Sequence, residues 1–127
     1  VSSFPGKLES ISAARNFVRD FLSLHGWSKY EIDVNIALGE VLQNIIRHGF
    51  DGGSLRGKFT LFLRVEYSKF NITVIDTALP SDAKAWSNTH RPPEEGGHGL
   101  SMLYAIVSNV EFSTLENGNK VKLEFLF

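Results

Sequence analysis

The stretch ALGEVLQNIIRHGF, residues 37–50, decides how the chain reads. Glu40 and Asn44 are four residues apart and His48 follows four further on, so the three rise along one side of a helix. With Glu40 set at zero and successive residues turned by about 100°, Val34, Leu38, Val41, Leu42, Ile45 and Ile46 fall between roughly 100° and 240°. That is a core-facing stripe of ordinary width. Glu40, Asn44, Arg47 and Asp33 lie within roughly 40° of zero, and His48 at about 80°. Asn35 falls inside the apolar arc, where nothing local explains a carboxamide. Ser28 followed three residues on by Glu31 reads as a capping box opening this helix, with Gly49 as its stop.

On the N-terminal side, Ile11, Ala14, Phe17, Val18, Phe21 and Leu22 recur at helical spacing and predict a helix over 11–24, with Gly26 just past its end. On the C-terminal side a glycine-rich turn, 51–57, leads into Phe59, Leu61, Leu63 and Val65, which alternate with polar residues as a half-buried strand does. Phe70, Ile72 and Val74 continue the alternation in a second strand, joined by a hairpin at Tyr67–Ser68 and ended by Asp76. About twenty residues, 79–98, then run with little periodicity and two adjacent prolines, Pro92 and Pro93. A segment of that length is expected to be a lid or binding loop. A helix over 100–108 follows, burying Leu100, Leu103, Ile106 and Val107, and a hairpin closes the chain: 110–115, a turn at Asn117–Gly118, and 121–127. The sum is an α+β two-layer sandwich, helices on one face of a mostly antiparallel sheet.

Bulk properties narrow the field. At 127 residues the chain is expected to form a single domain, 1–127, and the missing initial Met suggests a processed chain or a piece of a longer protein. A net charge of −1 gives no basic surface for nucleic acid or anionic membrane. No apolar run approaches the length of a membrane span, and VSSFPGK has neither the basic start nor the apolar core of a signal peptide. The absence of cysteine excludes disulfides and thiolate zinc sites and fits a cytoplasmic protein. His25, His48, His90 and His98 share no metal-ligand spacing, and there is neither a G-x-S-x-G elbow nor a Walker-type lysine loop.

Three polar features carry chemistry in combination. An isolated E-x-x-x-N face is ordinarily solvated surface; beneath a lid, Asn44 can offer a carbonyl oxygen to Mg²⁺ and Glu40 can take a proton from an attacking hydroxyl. His48 suits a helix end facing the dipole, and Arg47 suits the surface or a phosphate. A strand-end aspartate such as Asp76 is commonly a turn former, yet below a pocket it can accept from an exocyclic amine, favouring adenine over guanine. Thr77 beside it can add a hydroxyl. Gly96, Gly97 and Gly99, before the helix at GGHGLSML (96–103), are turn residues or a phosphate cradle of free backbone N–H groups.

In these motifs the chain resembles the GHKL superfamily of ATPases, the Bergerat fold. Within it the chain is most similar to the small bacterial anti-sigma-factor serine/threonine kinases. ALGEVLQNIIRHG matches the first motif and implies Glu40 as catalytic base and Asn44 as Mg²⁺ ligand. VIDTALP (74–80) matches the second, implying that Asp76 contacts the adenine amine with Thr77 and Ala78 beside the nucleotide. GGHGL matches the third, implying that Gly97, His98, Gly99 and Leu100 meet the phosphates. The second motif normally reads D-x-G, where a glycine lets the backbone approach the base closely or take φ > 0, and Ala78 departs from it: if φ is positive the methyl costs about 1 kcal/mol, otherwise almost nothing. The resemblance implies an ATP- and Mg²⁺-dependent kinase that phosphorylates a serine on an antagonist protein, alternately sequesters a sigma factor, and forms a homodimer. The alternative is a protein-interaction module with weak or no nucleotide binding. A histidine kinase catalytic domain, a third reading, would carry a longer lid and an upstream dimerisation helix.

Overall fold

The computed structural model describes residues 1–53, 56–80 and 99–127. Helix α1 (Ser10–Leu24) buries Ile11, Ala14, Val18 and Leu22, one stripe at helical spacing. It ends in a Schellman motif: Gly26 takes φ +75°, the Trp27 N–H donates to the Leu22 carbonyl at 2.8 Å, and the Gly26 N–H to Ser23 at 3.2 Å. A 3₁₀ turn, Ser28–Tyr30, leads into α2 (Glu31–Asn44), whose backbone runs on as a π turn, Ile45–Gly49.

The expected capping box does not form. No side-chain hydrogen bond caps the start of the 3₁₀ turn or of α2; the Glu31 N–H is taken by the Ser28 backbone carbonyl. The Glu31 carboxylate turns forward instead and accepts from Asn35 Nδ2 at 3.1 Å. The same Nδ2 donates to the Arg15 carbonyl of α1 at 3.3 Å, which explains a carboxamide in the apolar arc: Asn35 ties α1 to α2. A lost cap costs about 1 kcal/mol, whereas burying one large apolar side chain gives roughly 1.5–3 kcal/mol. Helix α2 buries Val34, Leu38, Val41 and Leu42, and the π turn Ile45 and Ile46, all of the stripe expected. Packing, not capping, makes this helix.

Five antiparallel strands form one sheet: β1 (Ser2–Pro5), β2 (Lys58–Glu66), β3 (Lys69–Asp76), β4 (Asn109–Leu115) and β5 (Gly118–Leu126), in the spatial order β1-β2-β3-β5-β4. Phe59 and Leu61 on β2, Phe70, Ile72 and Val74 on β3, and Val121, Leu123 and Phe125 on β5 are all buried, every second residue, and join the helical stripes in one core. Helix α3 (Gly99–Ile106) packs on α2 and buries Leu103. The architecture is the α+β two-layer sandwich that the periodicities predict.

Three details differ from expectation. Strand β1 pairs with β2, Phe4 opposite Phe59, in four residues too short to show an alternation. Helix α3 stops at Ile106 because β5 captures Ser108, whose N–H and hydroxyl both donate to the Glu124 carbonyl at 2.8 Å. The final hairpin turns at Glu116–Asn117, with Leu115 paired to Gly118, rather than at Asn117–Gly118. Gly118 is held inside β5 by close approach, since a Cβ there would run into the Asp76 carbonyl.

Candidate functional site

Period two sets the direction of Asp76. It follows Ile72 and Val74 on the helix-facing side of β3 and is 2% exposed, so a carboxylate sits at the margin of an apolar core. Directly across the ladder on β5 stands Asn119, also buried. Its Nδ2 donates to Asp76 Oδ1 at 3.0 Å and to the Leu79 carbonyl at 3.1 Å. The Ala78 N–H donates to the same Oδ1 at 3.0 Å. Burial pushes the Asp76 carboxyl above its ordinary value, while the Asn119 amide and the backbone N–H groups of Ala78 and Asn119 pull it back. The result is a strand-end acceptor, desolvated and held by donors.

Ala78 is the next fixed point. Its φ is not positive, so the methyl carries no left-handed strain. It is buried and faces Gly49, the last residue of the π turn: a Cβ at Gly49 would stand 2.7 Å from the Ala78 Cβ. That contact joins the end of α2 to the end of β3. Asn44 lies five residues before Gly49, about 7 Å along a helix axis. Asn44 is buried and has an interaction partner, Glu40 is half-buried, and Asp33, Arg47 and His48 are exposed. The polar face of α2 is therefore graded, covered at Asn44 and open at its flanks. A π turn directly after Asn44 is a distortion common at functional sites.

Thr77 points the other way. It is exposed, and its hydroxyl accepts from the Lys58 N–H at 2.9 Å and donates to the Lys58 carbonyl at 3.3 Å, closing the end of β2. Gly99 opens α3, as expected of a helix entrance, with Leu100 next. Gly97, His98 and all but the first two residues of the expected lid, 79–98, lie outside the described residues. Asn119 was not foreseen, although a signal exists: a carboxamide at the inward register of Val121, Leu123 and Phe125 is out of character for a strand. A surface groove of about 600 Å³ between α1 and α2, bordered by Leu8, Arg15 and Ile32, contains none of Glu40, Asn44 or Asp76.

The family model for the histidine kinase-like ATPase domain matches residues 4–125. No curated protein matches the chain. Among solved structures, the histidine kinase domain of the Erythrobacter litoralis EL346 blue-light activated histidine kinase superposes with a TM-score of 0.58 at 18% identity, over 78% of this chain and 45% of that one. The catalytic domain of the histidine kinase ThkA gives 0.60 at 16% identity, over 99% and 96%. The Acinetobacter baumannii histidine kinase AdeS gives 0.59 at 12% identity, over 99% and 68%. At such identities the likeness is one of fold. The chain spans less than half the length of the Erythrobacter structures and nearly all of the ThkA catalytic domain.

Proposed function

The chain belongs to the histidine kinase-like ATPase domain family, and from that premise we propose that it is an ATP- and Mg²⁺-dependent protein serine/threonine kinase of the anti-sigma-factor type. The observation that carries the reading is the buried, donor-held Asp76 at the end of β3, with the end of α2 seated against the residue two positions later. An acceptor-only carboxylate at that depth suits the adenine amine and rejects the carbonyl that guanine carries in its place. Asn44 and Glu40, on the helix whose end meets that corner, are the metal ligand and the base. Gly97, His98, Gly99 and Leu100 cradle the phosphates, where the helix entrance supplies unsatisfied N–H groups.

The donor set fits Mg²⁺. Mg²⁺ takes few protein ligands, so the buried Asn44 carboxamide, with oxygens brought by the nucleotide, would suffice to hold it. That is how Mg²⁺ is ordinarily held in phosphoryl-transfer sites, and bound there it would neutralise phosphate charge. In the transfer itself the serine hydroxyl oxygen of the substrate protein bonds to the γ-phosphorus. The bond from that phosphorus to the β–γ bridging oxygen breaks, ADP leaves, and the hydroxyl proton passes to Glu40.

The rival reading, a partner-binding module without catalysis, draws its support from Ala78. The φ of Ala78 is not positive, so no left-handed strain supports that reading, and what supports it is the methyl standing where the motif's glycine lets the backbone approach the base. The phospho-acceptor is an antagonist protein, the alternate partner a sigma factor, and the working form a homodimer; all three rest on the resemblance of the motifs. The deciding experiment is a thermal-shift titration with ATP, ADP and GTP, with and without Mg²⁺. ATP and ADP should raise the melting temperature, ATP more with Mg²⁺, and GTP should not. No shift at millimolar Mg-ATP overturns the reading.

A further inference from the structure

We propose that Asn119 is the positioning residue for base recognition: its amide pins one oxygen of Asp76 and thereby turns the other toward an exocyclic amine. The inference rests on the ATP-site reading and names the residue that sets its base selectivity. Asn119 and Asp76 are ladder partners on β5 and β3, 8% and 2% exposed. Both amide donations of Asn119 go to fixed acceptors, Asp76 Oδ1 at 3.0 Å and the Leu79 carbonyl at 3.1 Å. With an acceptor in each direction, the carboxamide cannot turn over and set its own carbonyl against the carboxylate. Ala78 adds a third constraint by donating to Oδ1 as well.

The consequence concerns rotation. A carboxylate turns in a broad torsional well, and burial favours its neutral form, which can donate as well as accept. Two donors on Oδ1 fix the plane and favour the ionised form. Oδ2 is then the oxygen offered to the ligand, as an acceptor only. An amine at the purine 6-position satisfies it, whereas a carbonyl there meets like charge. Without the Asn119 amide the group can rotate or take a proton, and a protonated carboxyl donates to the guanine oxygen.

The test uses calorimetric titration of the whole chain with the Mg²⁺ complexes of ATP, GTP and purine riboside triphosphate, which is ATP without its 6-amine. In the native chain, removing the amine should weaken binding roughly tenfold to a hundredfold, the range for a hydrogen bond to a charged acceptor. In Asn119→Leu the ATP to purine nucleotide ratio should fall to about twofold, with GTP discrimination lost in parallel, whereas a purely structural role would weaken all three nucleotides equally. Asn119→Thr, which restores a hydroxyl donor, should recover much of the ratio. Should Asn119→Leu not fold, Asn119→Ala removes the amide without setting apolar atoms against the carboxylate and gives the same readout. A native ratio kept by the donor-less variant, or an equal loss for all three nucleotides, overturns the inference alone. A native chain that binds no Mg-ATP overturns it together with the ATP-site reading.

Discussion

The proposed role asks Asp76 to be both buried and ionised, and the fold resists the combination. Desolvation raises its pKa above the ordinary 3.8, with the donors on Oδ1 offsetting only part of the effect. Between the unfolded and folded values the native state binds more protons, so stability falls as pH rises through that window and stays lower above it. Asp76→Asn keeps the size and a carbonyl acceptor for Ala78 and Asn119 while discarding the charge. The ligand-free variant should therefore melt higher than the native chain at neutral pH, by about 3–5 °C for each kilocalorie recovered in a domain of this size. Urea unfolding should show that advantage growing as pH rises through the window and then levelling. The same variant should lose most of its response to Mg-ATP, because the amide that replaces Oδ2 faces an amine; stability gained with binding lost would mark Asp76 as a residue retained for its ligand. Glu40 calls for the complementary experiment. Half-buried on α2, it should tolerate Glu40→Gln with Mg-ATP binding unchanged, while phosphate transfer to a serine-bearing acceptor falls by a hundredfold or more, about the contribution of a general base. Undiminished transfer would remove Glu40 from that role.

At the level of elements, the decisive junction is where the π turn ending α2 meets the residue two past Asp76. A Cβ on Gly49 would stand 2.7 Å from that of Ala78, closer than two methyls can approach. Gly49→Ala should destabilise by about 1–3 kcal/mol, and adding Ala78→Gly should return most of it, since the pair together holds one methyl in either arrangement. A double-mutant cycle in urea measures this directly, and additive losses would show that the two helix and strand ends do not touch. Asn35 makes the parallel case between α1 and α2. Asn35→Asp faces two acceptors, the Arg15 carbonyl and Glu31, with no hydrogen to give at neutral pH; a loss of about 2–4 kcal/mol is expected from the same denaturation measurement. These junctions also mark the limit of what the sequence made legible. The α2 stripe and the alternation in β2, β3 and β5 can be read directly, because burial imposes a period on each element by itself. The Ser28 cap cannot, because Asn35 competes for the Glu31 carboxylate and its position depends on α1. Nor can Gly118 or Asn119, whose reason for being there is Asp76, across a ladder that joins residues 43 positions apart. Local period is visible in a sequence, while contact between distant elements is visible only where a motif has fixed it.

Across the whole molecule, the proposed site would draw on parts that the chain visits at long intervals: α2, the end of β3, the start of α3 and the start of β5. The strand order β1-β2-β3-β5-β4 puts β5 beside β3 and so brings Asn119 to Asp76, while α3, the helix whose entrance is expected to hold phosphate, packs on α2, the helix expected to hold the metal. Nothing smaller than the whole domain contains all four. A nucleotide bound there should therefore stabilise the cooperative fold and not one loop. Binding only to the native state adds RT ln(1 + [L]/Kd), which is about 2.7 kcal/mol at a hundredfold excess over Kd and about 1.4 kcal/mol for each further tenfold. In urea the midpoint should climb by that increment divided by the slope with each decade of Mg-ATP while the slope stays fixed, because the surface exposed on unfolding does not change. If the slope changed, or stabilisation stopped rising while nucleotide was still being added in excess, the ligand would be binding a locally ordered segment or the unfolded chain. The four elements would then not form a single site.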